Sequence, residues 1–192
     1  LGAKASETEA GKSAIDVLNR TEETTEGLGS NLGNVKVGLK APTEAAEGAG
    51  SRAQRVYDDL PARLKSKTVA TDGNKDYLSG YGSNKPENFT HVDSEKVMDR
   101  SNEIGHDLRN SGAMDQGKPG QYMASHAEKQ AVANNPNAES YGVSRPMCDD
   151  CQNFFSRESA YQNREITVED PEFIRVFKPN GEIVKSPIGG GN

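Results

Sequence analysis

The sequence predicts an α/β fold, a mixed sheet with helices packed on it, and three observations carry that expectation. Two adjacent segments alternate apolar and polar residues with the period of a strand, EITVE at 165–169 and FIRVF at 173–177. A turn of Asp72, Gly73 and Asn74 sits between two further strand-like segments, as in a hairpin. The elements then run in the order hairpin, helix, helix, strand, helix, strand, strand, with a short final strand, and that order calls for helices laid on a mixed sheet.

Taken along the chain, composition changes first. Residues 1–55 contain no Phe, Trp, Tyr, His or Cys, and all aromatic residues and soft metal ligands lie beyond them. That contrast predicts a lead-in or partly ordered helical arm over 1–55, belonging to a larger polypeptide, and a folded domain over 56–192. Within the first part, 4–20 and 43–64 read as short helices, while 26–42 is punctuated by glycine. Segments 64–71 and 75–82 are the hairpin strands. Residues 94–110 carry Val97, Met98, Ile104 and Leu108 on a helical spacing. Gly117, Pro119 and Gly120 break the chain, after which 125–134 reads as a helix, 139–144 as a short buried strand and 149–162 as a helix. The strands at 165–169 and 173–177 follow, and Asn180-Gly181 turns the chain into the last strand. The closing GGGN is expected to be unstructured.

Charge and composition narrow the function classes. The formal net charge is -6, and the pI of about 5.2 argues against a protein that grips a long duplex by counterion release. Any nucleic-acid contact is expected to be short and local, with single-stranded or flexible substrates favoured. No run of roughly 18 apolar residues is present, so no membrane-spanning segment is predicted. The first residues do not resemble a signal peptide, and the chain reads as a fragment of something longer. The two cysteines, Cys148 and Cys151, form a single C-x-x-C, which reads as a metal or redox site rather than a disulfide framework.

Two motifs carry the chemistry, SHAEKQ at 125–130 and SRPMCDDCQNFF at 144–155. Cysteines three apart on the first turn of a helix face one side and can share a tetrahedral ion. The helix N-terminus favours their thiolate form, and Asp149 and Asp150 suit a first turn. A nitrogen ligand from elsewhere would complete a Cys2His site with one position open for water. His126 is the best candidate. In mid-helix His126 and Glu128 would point roughly 200° apart, so both reach one cavity only if the motif starts a helix. Glu128 is then a neighbour of the activated water, placed to move its proton.

The H-x-E followed by C-x-x-C resembles the signature of zinc nucleobase deaminases. Together with the closing IRVFKPNG, it resembles the deaminase domains at the C-termini of bacterial polymorphic toxins delivered by Rhs, type VI or contact-dependent systems. The resemblance covers roughly the last 120 residues and is specific at the motifs. It implies the cytidine deaminase-like three-layer α/β/α fold, with a mixed five-stranded sheet and helices carrying H-A-E and C-x-x-C. It further implies Zn2+ held by His126, Cys148 and Cys151, with Glu128 as the catalytic proton carrier. The implied reaction converts cytosine to uracil in nucleic acid, most of all single-stranded DNA, as a toxin secreted or injected to act in the cytoplasm of a target cell. A cognate immunity protein is the implied partner, the enzyme being otherwise monomeric. In one respect the sequence departs from the pattern: Pro146 stands two residues before Cys148, with Met147 where the family has proline.

Other readings stand beside this one. Alternatives are deamination of RNA, or of free nucleosides and nucleotides, which an acidic surface would tolerate. A lone C-x-x-C also serves structural zinc sites and redox pairs, and a zinc-stabilised interaction module would leave Glu128 merely exposed. His91 and His106 read as solvated. Phe154 and Phe155 are spaced for the core. Substrate-contact candidates are Tyr122, for stacking or packing, Ser125, as pocket residue or helix cap, and Ser144. Lys118, Lys129, Arg145 and Arg157 are the nearest cations for phosphates, or simply solvated charges.

Overall fold

The computed structural model describes residues 47–82 and 85–189. The helix predicted over 4–20, the glycine-rich stretch after it and the last three residues lie outside them. In chain order the elements are α1 (Ala49–Asp58), β1 (Val69–Thr71), β2 (Asp76–Leu78), α2 (Ser94–Glu103), α3 (Gln121–Ala124), α4 (Ala127–Asn134), β3 (Ser140–Val143), α5 (Asp149–Gln162), β4 (Ile166–Glu169), β5 (Phe173–Phe177) and β6 (Ile183–Pro187). Short 3-10 turns occupy Ala62–Leu64 and Gly112–Asp115.

The strands form one mixed sheet in the order β2-β1-β3-β4-β5-β6. Only β3 and β4 are parallel, joined by the crossover helix α5, and every other neighbouring pair is antiparallel. The sheet therefore has six strands, one more than the five the resemblance implies and as many as the strand segments read along the sequence. The reason is the turn after β5: Gly181 adopts φ 85°, its amide donates to the Lys178 carbonyl at 2.9 Å, and Lys178 donates to Glu182 at 2.9 Å. That geometry returns the chain so that β6 pairs along the whole of β5, from Phe173 with Pro187 to Phe177 with Ile183.

Alternation along the strands assigns each face. Ala70, Tyr77, Tyr141 and Val143 pack with Ala127 and Ala131 of α4 and with Phe154 and Phe155 of α5 in the main core. Phe155 stacks on Phe177 at 5.4 Å and meets Tyr141 edge-on at 5.4 Å, pairs worth about 0.5–1.5 kcal/mol each beyond their burial. Both phenylalanines are core residues, as their spacing predicts. The other face presents Val69 and Leu78 to Leu60, Phe89, Val56 and Tyr57. There Gly142 leaves room for α1: a Cβ at this position would lie 1.8 Å from the Ala49 carbonyl oxygen. Glu169 of β4 accepts from the Gly50 amide at 2.9 Å, tying the first turn of α1 to the sheet. Helix α1 spans the composition boundary read between residues 55 and 56.

Several elements are shorter than their sequence patterns. The first hairpin strand begins only at Val69 because residues before it take the 3-10 turn. Helix α2 is capped by Asp93, whose carboxylate accepts from the Glu95 amide at 3.0 Å. It stops well before residue 110 because Gly105, at φ 69°, closes a Schellman turn in which His106 donates to Ser101 at 2.8 Å and Gly105 to Asn102 at 3.2 Å. This turn also carries His106 inward. It is buried, edge-on to Phe154 at 5.4 Å and 3.5 Å from Asp150, which corrects the expectation of a solvated histidine.

The hairpin is organised by Asp72. Its carboxylate accepts from the Asn74 and Lys75 amides at 2.9 and 2.7 Å, the Tyr77 hydroxyl at 2.9 Å and Asn135 at 3.1 Å. Burial alone would raise its pKa, but these donors outweigh burial and hold it below the ordinary carboxylate value. Its stabilising effect is present above that ordinary value and lost as pH falls through the lowered one. Asp72→Asn places an amide against the Tyr77 and Asn135 donors and is expected to cost about 1–3 kcal/mol at neutral pH. Urea denaturation of both proteins should show the gap closing below about pH 4.

Candidate metal centre and its cleft

Both motifs start helices, and each places a potential ligand at the N-cap, where the backbone is extended. His126 has φ -65° and ψ 136° ahead of α4, and Cys148 has φ -72° and ψ 159° ahead of α5. The helix read over 125–134 is thus broken at its beginning, with α3 ending at Ala124 and α4 starting at Ala127. Extended caps swing the two side chains out of their helices toward one point. His126 Nδ1 lies 3.4 Å from Cys151 Sγ and 3.6 Å from Cys148 Sγ, and the Cys151 amide approaches Cys148 Sγ at 3.5 Å. All three ligand atoms fall within 4.8 Å of one another, and the group could hold a metal ion. The sulfurs are free thiols, not a disulfide.

Their electrostatics suit that role. The Cys148 thiol is pulled down to about 3 by its contact with Cys151, with His126 assisting and burial opposing. The same contact, with full burial, pushes Cys151 well above the ordinary thiol value.

The departure at Met147 has a local reason. The Met147 amide donates to Asp170 at 3.0 Å, and its carbonyl accepts from Gln152 at 3.1 Å. Proline here would forfeit the first bond, whose acceptor is also paired with buried Arg175.

Beside the triad opens a cleft of 660 Å³, and His126, Glu128, Tyr122, Ser125 and Arg145 all line it. Glu128, in the first turn of α4, is 5 % exposed. Tyr122 sits edge-on to His126 at 5.5 Å between ring centres. Ser125 is not the N-cap of α4, a place His126 takes, but ends α3; its hydroxyl donates to the Tyr122 carbonyl at 2.7 Å, and its carbonyl accepts from Gly80 and Gln130.

Two sequence candidates point elsewhere. The Ser144 hydroxyl accepts from the Val69 amide at 2.9 Å, extending the β1–β3 pairing, and the residue is not among those lining the cleft. Lys129 is fully buried: its ammonium group donates to the Met123 carbonyl at 3.0 Å and to Asp150. It faces the ligand-bearing helix and not the solvent or the cleft. Lys118 pairs with Glu95 at the surface, and Arg157 lines a separate cavity with His106. Sequence reasoning missed Lys67, Lys85, Tyr81 and Gln116, which line the cleft from loops where no motif or periodicity marks them.

No helix among the described residues is long and apolar enough to cross a membrane. No curated protein matches the chain. Residues 76–132, which run from β2 into α4 and include His126 and Glu128 but not the C-x-x-C, match the family model described as Single-strand DNA deaminase toxin A, C-terminal, and the resemblance carried by the first motif is therefore to a deaminase toxin family.

Proposed function

We propose that this chain hydrolyses cytosine to uracil in single-stranded DNA, as the toxic domain of a bacterial effector delivered into a target cell. The observation that carries the reading is a histidine clustered with two cysteines that also lines one cleft with a buried glutamate, in a chain whose residues 76–132 match a single-strand DNA deaminase toxin family. The metal is zinc. Bond lengths of about 2.3 Å to sulfur and 2.0–2.1 Å to nitrogen give a tetrahedral N···S edge of roughly 3.5–3.6 Å. The edges of 3.4 and 3.6 Å fit this.

His126 Nδ1, Cys148 and Cys151 would hold the ion, which supplies Lewis acidity that makes a water nucleophilic at neutral pH. The chain's residues handle the protons. Glu128 accepts a proton from the water as its oxygen bonds to C4 of the base, passes it to N3, and then delivers the second proton to the amino group. The C4–N bond breaks, ammonia leaves and uracil remains. Tyr122, beside His126, offers a ring against which the base can stack.

The fold proposed is the cytidine deaminase-like three-layer arrangement, and its domain takes in α1 because that helix covers the second face of the sheet. A protein that blocks the cleft in the producing cell is the expected partner, with the chain otherwise monomeric.

Incubating the purified protein with labelled single-stranded DNA, duplex DNA, RNA and free cytidine tests the substrate. Uracil should appear fastest in single-stranded DNA, and dialysis against a chelator should abolish it until zinc is restored. Product from free cytidine alone would defeat the nucleic-acid reading.

A further inference from the structure

The cleft carries a charge opposite to that of the protein around it. The whole chain has a formal net charge of -6, yet Lys67, Lys85 and Arg145 line the cleft and Glu128 is its one carboxylate among the described residues. None of these three cations takes part in an ion pair among the described residues, although eight other basic side chains do.

Two of them are held by neutral groups, and the third lies close to the chain at Gly80. The Lys85 ammonium donates to the Gln130 side-chain carbonyl at 2.6 Å, on the helix that carries Glu128. Arg145 donates to the Lys65 carbonyl and lies over the Tyr57 ring at 5.7 Å. The Lys67 ammonium sits over Gly80, where a Cβ would come within 3.0 Å of it; Gly80 itself adopts φ 110°. Burial, with the charge of Lys67 nearby, pushes Lys85 down to about 8. A charge so disfavoured in the free protein gains most from an anion that enters from solution.

We infer that Lys67, Lys85 and Arg145 form a wall that holds successive phosphates of a single nucleic-acid strand while one base turns toward Glu128. The inference rests on the deaminase reading and deepens it. The three cations come from separate places, ahead of β1, after β2 and after β3. A mononucleotide brings one phosphate and could answer only part of such a row; a strand brings one per residue. The acidic remainder of the protein then repels backbone outside the cleft, which keeps the bound stretch short.

The test is binding of a fluorescent single-stranded oligonucleotide and of dCMP to zinc-loaded protein carrying Glu128→Gln, over a range of salt. Adding Lys67→Gln and Lys85→Gln together is expected to weaken oligonucleotide binding about tenfold or more and to flatten the salt slope by roughly 0.7 for each phosphate no longer neutralised. The dCMP affinity should change less. Lys85→Met alone should bind DNA more weakly while its Tm is kept or rises, and Lys85→Arg should restore binding.

Unchanged affinity and slope in the double variant would overturn the wall, as would equal losses for dCMP and oligonucleotide. A fall in Tm that accounts for the weaker binding of Lys85→Met would reduce the lysine to a structural role and overturn it too. Uracil formation by the unaltered protein is read separately. Cation-dependent DNA binding without uracil defeats the deaminase reading alone, and uracil formation with an unaltered slope defeats the wall alone.

Discussion

Glu128→Gln is expected to lower uracil formation by about 10²–10⁴-fold while zinc content and Tm stay as they were. Gln keeps the size and the acceptor oxygen of the side chain but cannot take a proton from water, so the change removes the proton carrier that the proposed reaction requires and little else. The position makes the test clean. Glu128 is 5 % exposed in the first turn of α4, lines the cleft, and has no side-chain hydrogen bond to another protein group among the described residues. Its loss leaves no buried donor without a partner, which is the usual route from a polar substitution to instability. Uracil should be quantified by excision and strand cleavage, beside metal analysis and a thermal melt. A rate within threefold of the parent would remove Glu128 from the chemistry and favour a zinc-stabilised binding module.

Lys129→Met should have the largest effect on stability, about 3–5 kcal/mol, because it breaks a buried ion pair from one side. Lys129 is fully buried and Asp150 nearly so, with side-chain exposures of 0 % and 13 %. Removing the ammonium leaves the Asp150 carboxylate with only His106 beside it, at 3.5 Å, and leaves the Met123 carbonyl only the longer bond from the His126 amide, at 3.4 Å. For a domain of this size the loss corresponds to a fall in Tm of roughly 10 °C.

The pair also has a positional meaning. Lys129 follows His126 by one helical turn, and Asp150 lies between Cys148 and Cys151, so their pairing joins the two helix starts that bear the ligands. Zinc should therefore be lost to a chelator more readily in the variant than in the parent. Lys129→Met with Asp150→Leu should recover part of the stability, since an apolar pair leaves no unanswered charge. A melt of Lys129→Met within 2 °C of the parent would show that the pair contributes little.

Much of the fold and of the candidate metal centre is legible in the sequence, and the reasons are local. Helix α5 runs from Asp149 to Gln162 and β5 from Phe173 to Phe177, the bounds that capping and period-two patterning predict. His126 and the two cysteines are readable as a group because metal ligation restricts residue type and spacing together. What local pattern cannot carry is the direction a side chain takes once packed. Lys129 looks solvated in a charged stretch, but the facing of α4 against α5 turns it inward, and His106 follows the turn at Gly105. Lys67 and Lys85 belong to the cleft only because the β1–β2 hairpin folds beside the α3–α4 junction, where Gly80 donates to the Ser125 carbonyl at 2.9 Å. The sixth strand, by contrast, is legible, because Asn180-Gly181 marks the return turn that pairs it with β5.

The bare backbone of Gly142 against Ala49 has a practical consequence for anyone trimming the protein to its smallest working form. A version begun at residue 56, where the aromatic residues start, would strip away most of α1 and leave a slot in the middle strand shaped to a peptide group that is no longer there. Val69 and Leu78 would lose part of their cover on that side, and such a patch invites self-association. The cut belongs upstream of Glu47, whose carboxylate still grips Arg55 at 2.7 Å.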